Sequence, residues 1–197
     1  MPNVLILSGS PSRTSRLNGM VDYAQTHLQE KGLKVGVIRV SDLPAEALIT
    51  ADFEHPAIQE ANRRVENADA VIIASPVYKA SYTGILKTYL DLLPQKGLAE
   101  KVILPVFIGG TINHLLAIDY ALKPVLSVLG ARHILAGVYV IDSQVQRDSQ
   151  GQLVLDGEVK RRFNDALREL IEEVLWHSGK NKKNRLLSGV NRGVAGN

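Results

Sequence analysis

The chain has 197 residues, 45 % of them hydrophobic, a formal net charge of +3 and no cysteine. That length and apolar content suit one globular domain and exclude disorder for most of the chain. The missing thiols remove disulfide frameworks, zinc-thiolate sites, iron–sulfur clusters and cysteine nucleophiles together. The charge is unevenly placed. Lys180, Lys182, Lys183, Arg185 and Arg192 give residues 179–197 a charge of +5 with no acid, which leaves −2 for residues 1–178. A nucleic-acid surface would have to be this tail alone, and the tail has no aromatic to stack on a base. Residues 1–178 therefore read as the domain and 179–197 as a basic, solvated C-terminal tail, with no nucleic-acid partner expected. The start, MPNVLILSGS, lacks the charged n-region of a signal peptide, and no segment approaches the ~20 apolar residues of a membrane helix. A cytoplasmic protein is expected.

In chain order, Val4–Ser8 is an apolar run that meets Gly9-Ser10-Pro11, so it predicts a buried strand entering a loop. From Ser15, the recurrence of Leu17, Met20, Val21, Ala24 and Leu28 predicts a helix that stops at Gly32. Lys34–Val40 alternates as a second strand. Residues 42–56 form a connection with room for a helical turn, and Ala57–Asn67 is a weakly amphipathic helix. Ala70–Ser75 is a third strand, closed by Pro76. Thr83–Leu93 reads as helix, Val102–Ile108 as a fourth strand, Thr111–Leu129 as a long helix and His133–Ile141 as a fifth strand. After a polar excursion over 142–156, Val159, Phe163, Leu167, Leu170, Ile171, Val174 and Leu175 mark one face of a last helix. Strands apolar on both faces and alternating with helices predict a parallel sheet covered on both sides. The expected class is α/β, a flavodoxin-like doubly wound five-stranded parallel sheet of order 2-1-3-4-5.

Ligands of such sheets lie beyond the carboxyl ends of the strands, where the strand order reverses. Three loops are expected there. The first, Gly9 to Arg16, offers four hydroxyls (Ser10, Ser12, Thr14, Ser15) and two guanidinium groups (Arg13, Arg16) just before a helix start. Unpaired amides at a helix start favour an anion, and this donor set suits a terminal phosphate. The same hydroxyls would also serve plain helix capping. Neither the Walker nor the Rossmann glycine pattern is present. The second loop, Ser75 to Gly84, contains Pro76, Val77, Tyr78 and Lys79, in which an aromatic can cover a flat ring or pack at the rim. In the third, Gly109-Gly110-Thr111, two glycines let backbone approach a ligand or simply make a turn. His114 has no partner that would make it a general acid. Neither Asp91 nor Asp119 has a companion at metal-ligand or carboxylate-pair spacing, so no metal site and no catalytic side chain are expected.

The stretches VLILSGSPSRTSR, ASPVYKASYTGILKTYLDLLP and GGTINHLLAIDYALKPVLSVLGA resemble the NAD(P)H-dependent FMN reductase family. Within it they resemble the reductase component of two-component alkanesulfonate monooxygenase systems. The similarity runs to about residue 178, and Pro76, Tyr78, Gly84, Leu86, Lys87, Leu90 and Asp91 are its most specific part. The resemblance implies hydride transfer from nicotinamide to flavin N5, with reduced FMN supplied to a separate FMN-dependent monooxygenase. It implies that the first loop holds the FMN phosphate through Ser10, Ser15 and a nearby arginine, with Ser12 and Arg13 counted among its cofactor-binding residues. Pro76, Val77, Tyr78 and Lys79 would border the flavin and ribityl chain, and Gly109, Gly110 and Thr111 the isoalloxazine edge. Many relatives place the arginine two residues after the first loop's serine, where this chain has Ser12, so either Arg13 or Arg16 is left to substitute. NADPH is the expected reductant and NADH is not excluded; Lys79, Arg13 or a tail residue could meet a 2′-phosphate.

Lys123-Pro124 falls inside the predicted long helix, where Pro124 cannot donate to the Tyr120 carbonyl. Such a break becomes a kink or a π-bulge. The resemblance implies a π-helical segment at Tyr120 within a homotetramer interface, a homodimer being the smaller alternative. Low sulfur use, two methionines and no cysteine, suits a role in sulfur acquisition as well as it suits compositional drift. Two other readings of the same fold stay open: a quinone or azo reductase with tightly bound FMN, and a non-enzymatic FMN electron carrier. Such carriers are typically strongly acidic, which a domain at −2 is not.

Overall fold

The computed structural model describes residues 1–149 and 153–190, with the side chains of Arg147 and of residues 178–190 left aside. Its strands are β1 (Asn3–Ser8), β2 (Lys34–Arg39), β3 (Ala70–Tyr78), β4 (Ser81–Tyr82), β5 (Val102–Gly109), β6 (His133–Ile134), β7 (Val138–Ile141), β8 (Val145–Arg147) and β9 (Leu153–Leu155). The α-helices are α1 (Arg16–Glu30), α2 (Ala45–Ile49), α3 (Pro56–Glu66), α4 (Gly84–Leu90), α5 (Lys123–Val128) and α6 (Gly157–Val190). The main sheet runs β2-β1-β3-β5-β6, with β7 also on β5, and every one of these pairings is parallel. Counting β6 and β7 as one interrupted edge strand, the order is the expected 2-1-3-4-5. The interruption falls at Gly137, whose φ of 87° lies in the left-handed region that a side chain rarely adopts.

Alternate residues of each strand feed two cores. Leu5, Leu7, Val71, Ile73, Ile103 and Phe107 pack under α2 to α5. Val4, Ile6, Ile72, Leu104, Val106 and Val140 pack under α1 and α6, where they meet Leu17, Met20, Phe163 and Leu167. This double burial is why the strands carry little polar alternation. Helix α1 begins where Ser15 Oγ accepts from Leu17 N at 3.2 Å and ends at Gly32 with φ 82°. Helix α6 is longer than its apolar stripe implies. The boundary expected at residue 178 falls inside its backbone, which continues to Val190. The tail's basic side chains and residues 191–197 lie outside what is described.

Three local departures matter for the site. Strand β3 does not close at Pro76 but continues to Tyr78. Residue 76 faces the same sheet edge as residue 74, whose carbonyl accepts from Gly9 N at 2.8 Å. Strand β1 has ended by then, its last pair being Ser8 with Ala74, so the missing proline N–H deprives no partner. The strand then turns back through Lys79 and Ala80 into β4. Lys79 and Ala80 have φ of 50° and 61°, a turn normally given to Asn-Gly and here held by non-glycine residues. Third, the long helix breaks into a 3₁₀ turn (Ile112–His114), a π-helical turn (Ile118–Leu122) and α5. The Lys123 N–H reaches the Ile118 carbonyl five residues back, and Pro124 follows in the first turn of α5. The polar excursion after β7 holds the antiparallel hairpin β8–β9.

Candidate active site

The first loop is shaped from behind. Asn18, buried on α1, donates from Nδ2 to the carbonyls of Ser12 (3.0 Å) and Arg13 (2.9 Å). Ser10 Oγ donates to the Ser12 carbonyl at 3.1 Å, and Ser12 Oγ receives the Thr14 N–H at 3.3 Å. With the Ser12 and Arg13 carbonyls engaged on the protein side, Ser12, Thr14 and Ser15 line the outer cleft, where their hydroxyls can serve as donors.

A second brace joins this loop to α4. Thr83, itself buried, donates from Oγ1 to the Gly9 carbonyl at 2.6 Å and caps α4 by accepting from Leu86 N at 3.3 Å. Its own N–H donates to Ser75 Oγ at 3.1 Å. One threonine therefore ties the carboxyl ends of β1 and β3 to the start of α4. Its only sequence signal is its position as an N-cap, and nothing local announces the link to Gly9.

The third loop is fixed by Tyr139 of β7. Its hydroxyl donates to the Thr111 carbonyl at 2.7 Å. Burial first, and then the negative charge of Asp142, hold this phenol above its ordinary pKa, so it stays a neutral donor. A Cβ on Gly109 would overlap the Tyr139 hydroxyl, so a side chain there would push the tyrosine off its bond to Thr111.

A cleft of about 690 Å³ lies between these loops at the carboxyl ends of β1, β3 and β5, within the usual range for small-molecule sites. Ser12, Thr14, Ser15 and Arg16 line one end. Pro76, Val77, Tyr78, Ile108 and Gly109 line the other, joined by Asp142 and Gln146. Of the residues expected from sequence, this cleft brings together Ser12, Ser15, Pro76, Val77, Tyr78 and Gly109. Ser10 and Arg13 line a smaller neighbouring cleft, with Asn18, Asp22, Arg39, Ser41 and Asp42. There the Arg13 guanidinium pairs with Asp42 at 3.2 Å. Lys79 sits in the β3–β4 turn, and Gly110 and Thr111 border the cleft without lining it. Thus Arg16, not Arg13, is the guanidinium at the main cleft. Asp142 and Gln146 come from the segment that follows the fifth strand, outside the three loops singled out in the sequence.

The donor set has the two-ended character of a flavin mononucleotide. Hydroxyls and one cation suit a phosphate, and a largely apolar wall of proline, valine, isoleucine, glycine and tyrosine suits an aromatic ring. The family described as NADPH-dependent FMN reductase matches residues 2–146. The chain belongs to that family. Membership carries an oxidoreductase activity, NAD(P)H-dependent reduction of FMN, with FMN and a nicotinamide nucleotide as cofactors. The chain is 48 % identical to "FMN reductase (NADPH)" of Pseudomonas putida over 167 residues, 83 % of this chain and 84 % of that one. It is 47 % identical to the Escherichia coli protein of the same description over 142 residues, 72 % of this chain and 74 % of its relative. Among solved structures, the apo form of an NADH:FMN oxidoreductase superposes with a TM-score of 0.78 at 37 % identity. That alignment spans 86 % of this chain and 88 % of the other. The flavin reductase fold is thus flavodoxin-like, as its strand order says.

Proposed function

We propose that this FMN reductase treats FMN as an exchangeable substrate, reduces it with NADPH and releases reduced FMN to a separate monooxygenase. The alkanesulfonate-desulfonating kind is the expected partner. The observation that carries this reading is how shallow the binding cleft is. Ser12, Thr14, Arg16, Tyr78 and Gln146 are all exposed at its rim, so the chain offers a bound ring a wall and a rim but no enclosure. When bound, FMN supplies the hydride acceptor at its N5. The chain positions it: Ser12, Thr14, Ser15 and Arg16 hold the phosphate end, and Pro76 to Tyr78, Ile108 and Gly109 back the ring, leaving the outer face to nicotinamide. Proton transfer from a protein side chain is not needed for the hydride step, and none is assigned.

The test is aerobic NADPH oxidation by flavin-stripped protein as free FMN is raised from none to excess. Turnover that keeps rising and saturates beyond one equivalent of FMN supports an exchangeable substrate. A rate complete at one FMN per chain, or one that needs an added quinone, moves the assignment to a reductase with a resident flavin. Failure of NADPH to bleach bound flavin leaves an electron carrier.

Within the cleft, Arg16 is proposed as the phosphate cation. A charge-assisted hydrogen bond contributes about 1.5–3 kcal/mol, and the exposed setting favours the lower end. Arg16→Ala is therefore expected to weaken FMN binding about tenfold. Arg13→Ala, whose guanidinium faces Asp42, is expected to change it less than about threefold. Titration followed by quenching of flavin fluorescence decides the matter, and a larger effect at Arg13 would reverse the assignment.

The broken helix also suggests how copies associate. Tyr120 on the π turn is 79 % exposed, and Ile112, Leu115 and Leu116 beside it are exposed as well. This apolar surface at the edge of the site is the proposed contact in a homotetramer or homodimer.

A further inference from the structure

At the opposite end of the sheet, three side chains with metal-ligating atoms converge. His133 opens β6, opposite Val102 at the start of β5, whereas the cofactor cleft lies past Gly109 at that strand's other end. Seven residues of strand separate the two positions by about 23 Å. By strand alternation His133 shares a face with Leu135, which packs in the core beneath α6. From α6, Glu173 and His177 stand one turn apart on a single face. Their ligand atoms and that of His133 all lie within 4.8 Å of one another. The Glu173 carboxylate oxygen is 3.9 Å from His133 Nδ1 and 3.8 Å from His177 Nε2.

Those separations are informative. They exceed a hydrogen bond but lie within ion-pair reach, so the carboxylate sits between the two imidazoles. Ligand atoms bound at about 2.0–2.1 Å to a tetrahedral ion stand roughly 3.4 Å apart. The two gaps to Glu173 exceed that by about half an ångström, and the two imidazoles, within 4.8 Å of each other, have at most about 1.4 Å to close. All three side chains are partly exposed and can turn inward. The rings of His133 and His177 meet edge to face at 4.1 Å, which already draws the strand and helix ligands into one cluster.

We infer that His133, Glu173 and His177 form a binding site for a divalent transition metal of the Zn²⁺ class, which clamps the edge strand β6 to helix α6. Two imidazoles and one carboxylate are a borderline donor set that suits Zn²⁺, Co²⁺, Ni²⁺ or Cu²⁺, whereas Mg²⁺ and Ca²⁺ favour all-oxygen sites. Three protein ligands leave one tetrahedral position for water. The distance from the cleft makes the ion a structural clamp rather than a participant in hydride transfer, and its effect is stabilisation by binding the folded state. The site stands independently of how FMN is used.

A reporter is built in. Trp176, the chain's single tryptophan, lies edge to face with His177 at 4.9 Å. Untagged, chelator-treated full-length protein is titrated with Co²⁺, which quenches a nearby indole, and then with Zn²⁺, whose filled d shell does not. Expected are saturable quenching at one Co²⁺ per chain, d–d absorption bands of three-ligand intensity, and recovery of fluorescence on adding Zn²⁺. Even outer-shell partners of metal ligands are worth roughly 10–100-fold in affinity, so His133→Ala is expected to weaken binding by at least about tenfold. This variant leaves the Trp176–His177 contact in place. His133→Ala/His177→Ala abolishes the effect, and Glu173→Gln weakens it. The midpoint of thermal unfolding rises with Zn²⁺ in the parent and stays fixed in the double variant. Circular dichroism, and FMN turnover far from the cluster, report whether each variant is folded. Equal quenching and equal Zn²⁺ retention by the parent and the folded double variant would overturn the assignment, as would no saturable binding by the parent.

Discussion

Gly9→Ala is expected to destabilise this flavin reductase by about 3 kcal/mol, the upper part of the range for an overpacked interior site. The added Cβ would stand 2.6 Å from Leu86 Cβ and 3.1 Å from Thr83 Oγ1. A clash with the tip of a long side chain is cheaply relieved by a new rotamer. Leu86 Cβ has no such freedom, because it moves only with the first turn of α4. Gly9 cannot retreat either, since its N–H donates to the Ala74 carbonyl and its own carbonyl accepts from Thr83. Either β1 or α4 must shift, and the loop that carries Ser12, Ser15 and Arg16 shifts with it. Weaker FMN binding should accompany the lost stability. Leu86→Ala should not rescue the variant, because the offending carbon remains. Gly84→Ala provides the contrast: a Cβ there meets nothing within 4 Å, and alanine at that helical position should be neutral or slightly stabilising. Denaturant midpoints of the three variants check this, and a Gly9→Ala midpoint within error of the parent would refute the packing argument.

The contrast between these two glycines also shows what a sequence conceals. Gly84 belongs to the most specific part of the family resemblance, yet it faces open space, and the crowded position is Gly9. Strand order was legible because a sheet buried on both faces leaves continuous apolar runs, Val4–Ser8 and Ala70–Ser75 among them, and right-handed crossovers then leave few windings. The ends of those runs pointed to the cleft for the same reason. The direction of an arginine is different in kind. Arg13 pairs with Asp42, 29 residues away, while Arg16 lines the cleft, and spacing in the sequence does not tell the two apart. Asn18 and Thr83 carry no local signal of their role, because a hydroxyl or amide that braces a loop looks like one that caps a helix. Similarly, the cluster of His133, Glu173 and His177 joins a strand to a helix across 40 residues, where no ligand spacing exists to be read. Pro124 did announce a break in its helix, since a missing N–H is a local fact. How far the break spreads toward Ile118 depends on which carbonyl the Lys123 N–H reaches.

Thr83→Val removes one oxygen from the centre of the brace and should cost about 2–4 kcal/mol. Losing the N-cap of α4 accounts for about 1 kcal/mol. The larger part is the Gly9 carbonyl, which loses its 2.6 Å partner at a site closed to water. An orphaned buried acceptor costs about 1–3 kcal/mol. Valine fills nearly the same volume, so the effect isolates the hydroxyl from packing. Thr83→Ser keeps both hydrogen bonds and loses only a methyl group, so it should recover most of the stability. For a chain of this size, each kcal/mol lowers the unfolding midpoint by roughly 2–4 °C, which makes the valine and serine variants easy to separate in a melt. FMN affinity should follow the same order, parent, serine, valine, because the hydroxyl holds the proposed phosphate-binding loop from behind and does not line the cleft itself. If valine melts with serine, the hydroxyl is not the brace. If valine melts low but binds FMN as the parent does, the brace serves the fold and not the site.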